Sequence, residues 1–151
     1  MAGAMTGRLR RVLVERLDPA AELPLPERAT PGSAGFDLRA AAAVRLPRGR
    51  VVRVGTGLKV RPPPGTFLEV RPRSGLASRG VIMPNAPGTI DRDYADELQV
   101  PLLYLLPGSY AIAAGDRIAQ ARLVDDLPTR FAWGKVRRVA GRSGGFGSTG
   151  R

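Results

Sequence analysis

An all-β domain, a sandwich or barrel of roughly ten short strands with one short helix, is predicted by three features of the chain. Its 19 glycines and 14 prolines are spread along 151 residues and cut it into short pieces. Between the cuts lie β-branched and apolar runs, several of them alternating with period two. No segment keeps a helical apolar stripe for long. An apolar content of 43% suits one packed domain and argues against disorder.

The first strand-like run is RRVLVERL (10–17). FDLRAAAAVRL (36–46) follows; alanines 40–43 favour helix, but Pro47 and Gly49 end the segment too soon for one. RVVRVGTGLKV (50–60) alternates Val52 and Val54, then Leu58 and Val60. Pro62-Pro63-Pro64-Gly65 is a turn signal before the strand TFLEVRP (66–72). In RPRSGLASRG (71–80), Ser74 is a favourable N-cap for a short helix. A helix start flanked by Arg71 and Arg73 suits a phosphate.

PNAPGTIDRDYADEL (84–98) then sets Asp91 directly after a β-branched pair, with Tyr94 close behind. Asp93, Asp96 and Glu97 read as solvated hairpin polars. ELQVPLLYLL (97–106) reads as a buried strand closed by Pro107-Gly108, and YAIAAGDRIAQARLV (110–124) supplies the last run. Asp116 and Arg117 are expected to form an internal ion pair that holds a turn. The organisation expected is a tail over 1–10, one core domain over 11–140 and a flexible Gly-rich arm over 141–151.

The composition restricts the chemistry. With no His and no Cys, the chain has no imidazole base, no thiolate nucleophile, no disulfide and no zinc site of the nitrogen–sulfur kind. A general base falls to the thirteen Asp and Glu residues, and a metal would be a hard ion on oxygen ligands, magnesium first. No apolar run is long enough to span a membrane, and MAGAMTGRLRR lacks a secretory apolar core. A cytoplasmic protein is expected. The formal charge of +11 suits a polyanionic partner, either nucleic acid or a phosphorylated small molecule. Its basic residues are scattered rather than striped among aromatics, so stable nucleic-acid binding is not expected.

Five segments, taken in order, resemble the five motifs of the trimeric dUTP diphosphatases (dUTPases). They are AGFDLRA (34–40), RPRSGLA (71–77), NAPGTIDRDYADEL (85–98), GDRIAQARLV (115–124) and GGFGSTG (144–150). The resemblance implies a distorted jelly-roll or β-clip barrel, a homotrimer with active sites at subunit interfaces, each closed by a C-terminal arm. It implies hydrolysis of dUTP to dUMP and pyrophosphate with Mg²⁺. By the same resemblance Asp91 is the general base and Asp37 reaches the metal through water. Arg73, Ser74, Gly75 and Gln120 bind phosphates, joined by Arg142, Ser148 and Thr149 of the arm. Asn85, Gly88 and Tyr94 form the uracil and deoxyribose pocket, and Phe146 stacks on the base.

The chain departs from the family pattern in three places. Asp96 stands where the family commonly has Gly, the stretch between RSGLA and Asn85 is shorter, and Arg142 is displaced by one position. Rival readings are a dCTP deaminase or bifunctional deaminase–diphosphatase of the same fold, and a non-catalytic nucleotide-binding relative. GTIDRDY and GGFGSTG favour the plain diphosphatase.

Overall fold

The computed structural model describes residues 9–19, 21–137 and 140. Among them are eleven short strands and one helix. The strands are β1 (Leu13–Arg16), β2 (Phe36–Arg39), β3 (Val44–Pro47), β4 (Val51–Gly55), β5 (Leu58–Arg61) and β6 (Thr66–Arg71), followed by β7 (Val81–Ile82), β8 (Gly88–Ile90), β9 (Gln99–Tyr104), β10 (Ser109–Ile112) and β11 (Arg117–Asp125). The helix, α1 (Ser74–Ala77), sits between β6 and β7. The all-β expectation holds, and alanines 40–43 turn rather than coil.

The strands pair antiparallel in sheets ordered β2-β11-β6-β8, β4-β9-β7, β3-β10 and β1-β5. One apolar core fills the space between them, with Leu38, Leu46, Leu98, Leu102, Val100 and Ile118 almost wholly buried. The period-two pattern explains this. In β6, Thr66, Leu68 and Val70 face inward while Phe67, Glu69 and Arg71 alternate outward.

Two short strands, β7 and β8, are not anticipated from the sequence. Each is too brief to show alternation, and each forms because a longer neighbour offers free edge groups: β9 for β7 and β6 for β8. The helix begins one residue earlier than the expected Ser74 cap implies. Arg73 is the N-cap with extended backbone, no side chain caps the helix, and Ser74 is its first residue.

Strand β11 carries the irregularity that matters most for the site. Gln120 pairs with Asp37 and Ala119 with Leu38, but Arg117 rather than Ile118 pairs with Arg39. This is a β-bulge, and its mark is two consecutive buried residues, Ile118 and Ala119.

Candidate active site

Three segments converge around Asp37. It lies on β2 opposite Gln120 of β11, and Gln120 is in turn opposite Arg71 at the end of β6. The chain then turns at Pro72, whose carbonyl accepts a hydrogen bond from Gln120 Nε2 at 3.1 Å. That bond fixes the amide beside the start of α1. Gly35 leaves room for it, since a Cβ there would lie 2.5 Å from Gln120 Oε1 and 3.1 Å from its Cβ.

The Asp37 carboxylate is only 15% exposed and faces two guanidinium groups. Arg73 Nε lies 3.2 Å from Oδ1, and Arg117 Nη1 lies 3.4 Å from Oδ2. Arg73 also donates from Nη1 to the Arg117 carbonyl at 3.3 Å. The expected Asp116–Arg117 pair is therefore not formed. Asp116 instead accepts the Ala113 amide at 2.8 Å, an aspartate closing its own turn, and the bulge turns Arg117 toward Asp37. Beside this cluster the amides of Ser74 and Gly75 precede the first helical donor, Leu76, so the helix does not use them.

A second group of predicted residues lies on β8 and the loop after it. Gly88 is buried opposite Val70, and a Cβ on it would lie 3.3 Å from Asn85 Nδ2. Asp91 follows β8 and is exposed in a basin of about 630 Å³ shared with Arg92, Asp93 and Asp126. A turn joins Asp91 to Tyr94, whose amide donates to the Asp91 carbonyl at 3.2 Å. The Tyr94 hydroxyl donates to the Glu97 carbonyl at 2.9 Å, which pins the ring at the edge of a cavity of about 360 Å³ beside Lys59 and Arg61.

Glu97 is not the solvated hairpin polar the sequence suggests. Its Oε1 accepts the Gly57 amide at 2.8 Å and its Oε2 accepts Gln99 Nε2 at 3.2 Å. Arg117 and Glu97 are thus the polar residues that sequence reasoning misplaces. The doublet Ile118-Ala119 is a readable sign of the bulge, whereas nothing local signals the partner of Glu97.

The two groups do not meet within one chain. Strands β2 and β8 are the opposite edges of their sheet, and Asp91 falls beside Phe67, four residues along β6 from Arg71. Ordinary strand spacing and rise put Asp37 and Asp91 about 19 Å apart. Phe146, Arg142, Ser148 and Thr149 lie outside the described residues.

Among the described residues, no three His, Cys, Asp or Glu side chains gather into a cage for a metal. A lone carboxylate already facing guanidinium groups does not hold a bare ion. It does suit a hydrated magnesium brought in on phosphate oxygens. Arg79, just beyond α1, is raised above its ordinary pKa by its hydrogen bond to the Tyr110 hydroxyl. No helix among the described residues is long and apolar enough to cross a membrane.

Comparison with known proteins bears on this arrangement. The dUTPase family model matches residues 21–150. Deoxyuridine 5'-triphosphate nucleotidohydrolase of Thermobifida fusca is 46% identical over 145 residues, covering 93% of this chain and 79% of that protein. The protein of the same name from Solibacter usitatus is 41% identical, covering 93% of this chain and 97% of its own length. Among solved structures, a Staphylococcus bacteriophage 80alpha dUTPase with dUpNHpp superposes with a TM-score of 0.75. It is 25% identical and covers 93% of this chain and 98% of that one. On the strength of the family model and these relatives, the chain belongs to the dUTPase family.

Proposed function

We propose that the protein hydrolyses dUTP to dUMP and pyrophosphate, with Asp91 as the base that takes a proton from the attacking water. The water oxygen bonds to the α-phosphorus, the bridging oxygen between the α- and β-phosphates leaves with pyrophosphate, and the proton passes to the Asp91 carboxylate. The observation that carries this reading is the convergence of Asp37, Arg73, Ser74, Gly75 and Gln120 from three separate segments. Two unused amides, a fixed side-chain amide and the Arg73 guanidinium together suit a chain of phosphates.

Arg73, Ser74, Gly75 and Gln120 neutralise and orient the phosphates, which opposes the charge that builds on the leaving group. A magnesium ion arriving with the nucleotide would add to that neutralisation, and Asp37 would hold it through bound water. Asn85 and the backbone around Gly88 read the uracil edge and favour it over cytosine. Tyr94, its ring pinned through Glu97, lies under the deoxyribose and leaves no room for a 2′-hydroxyl. Phe146 stacks on the base, and Arg142, Ser148 and Thr149 grip the outer phosphates as residues 141–151 close.

The separation of Asp37 from Asp91 supports a homotrimer in which one chain's phosphate cluster meets another chain's Asp91 loop. The apolar residues beyond β11 support it too: Phe131 and Trp133 are 96% and 105% exposed, surface that a lone chain leaves in water.

The test is pyrophosphate release from dUTP with Mg²⁺, with dCTP run beside it and ammonia measured separately. Asp91→Asn is expected to lose about 10²–10⁴-fold in turnover while still binding a non-hydrolysable analogue. Near-parental turnover by that variant removes Asp91 from the mechanism, and ammonia from dCTP replaces the reaction with a deamination.

A further inference from the structure

Asp37 is held from two sides, and its second partner, Arg117, has no task in the reaction as described. We infer that Arg117 is a positioning residue, which anchors Asp37 so that Arg73 can leave that carboxylate for the phosphates while Asp37 stays set for the metal. The inference rests on the reading of Asp37 given above.

The geometry carries it in three steps. First, the bulge aims the side chain. Asp37 and Arg39 point to one face of β2 and Leu38 to the other. In unbroken register Ile118 would oppose Arg39, and Arg117 would fall on the core face with Leu38 and Ala40, both buried. The extra residue reverses this, so Arg117 opposes Arg39 and shares the face of Asp37.

Second, the charges do not balance without a ligand. Two guanidinium groups face one carboxylate, which leaves a surplus positive charge beside the unused amides of Ser74 and Gly75. A phosphate entering there competes for the fork of Arg73, the nearer of the two arginines to α1.

Third, release of Arg73 has a cost that Arg117 removes. A carboxylate as buried as Asp37 is unfavourable when unpaired. With Arg117 still on Oδ2, Asp37 keeps a charge partner and a fixed orientation while Oδ1 is freed. Arg117 therefore acts on the metal through Asp37, as an outer partner that orients a ligand.

The experiment is calorimetric titration of the full chain with the α,β-imido analogue of dUTP, once with Mg²⁺ and once with EDTA. Arg117→Ala is expected to weaken metal-free binding, because Arg73 must then leave Asp37 unpaired, and in addition to lose about 10-fold of the tightening that Mg²⁺ brings. Retention of the parental tightening by Arg117→Ala overturns the inference. Should circular dichroism show that this variant does not fold, Arg117→Gln takes its place, with the same loss expected and the same retention overturning the inference. A parental protein whose analogue binding ignores Mg²⁺ overturns the reading of Asp37 itself, and that outcome is distinct because it needs no variant.

Discussion

Glu97 Oε1 accepts a hydrogen bond from the Gly57 amide at 2.8 Å and so ties the loop after β8 to the β4–β5 turn. Gly57 has φ +68°, a left-handed conformation, and a Cβ there would lie 2.6 Å from Leu23, so the turn is itself restricted to glycine. The bond passes this rigidity to Asp91 and Tyr94. Glu97→Ala is expected to destabilise the fold by about 1–3 kcal/mol, since it leaves the Gly57 amide without its acceptor. Thermal denaturation measures the loss, and KM for dUTP should rise with it, because the Tyr94 hydroxyl bonds the carbonyl of the same residue.

Thr56 closes the same junction from inside. Its hydroxyl, 1% exposed, donates to the Leu98 carbonyl at 2.7 Å and accepts the Leu58 amide at 3.3 Å. Thr56→Val keeps the shape and removes both bonds. A loss of about 1–3 kcal/mol in denaturant titration is expected, with an unchanged m-value. Thr56→Ser should recover most of it.

Gly35 and Gln120 are coupled through space rather than by a bond. Gly35→Ala would push a methyl group against Gln120 and break its hold on the Pro72 carbonyl. We expect kcat/KM for dUTP to fall about 10-fold, because a Gln120 no longer held in place loses its hydrogen bond to a charged phosphate oxygen. The double variant with Gln120→Ala should cost little more than Gln120→Ala alone, because both act on one contact. Additive losses would separate the two residues.

Trp133 offers a direct reading of assembly. It is the chain's single tryptophan and lies wholly exposed in the isolated chain. If a neighbouring subunit covers it, its emission at working concentration is blue, and dilution through the dissociation range shifts it red. Emission that stays red at every concentration would remove this segment from the subunit interface.

The strands are legible where alternation runs long enough to be counted, as in Val52–Val60 or Thr66–Arg71. The helix is legible because a turn-rich segment follows a strand, although its cap shifts from Ser74 to Arg73. What escapes is set by distant partners. Strands β7 and β8 exist because β9 and β6 have edges to offer, and Glu97 is fixed by an amide forty residues away. Arg117 is misassigned from sequence because its neighbour suggests Asp116, while a bulge decides the direction of the side chain. The phosphate-side residues are legible as motifs, and their convergence is a product of register: Asp37, Gln120 and Arg71 stand in one row.

The placing of β2 and β8 on opposite edges makes the proposed catalyst a shared possession rather than a property of any single polypeptide. Two inactive preparations, one with Asp91→Asn and one with Arg73→Ala, should therefore rescue each other when unfolded together and refolded as a mixture. With random threefold mixing of equal amounts, about a quarter of the sites draw both intact parts from different donors. Recovery of that fraction of the parental rate, from partners that are each dead alone, would show that the chemistry belongs to the seam between chains.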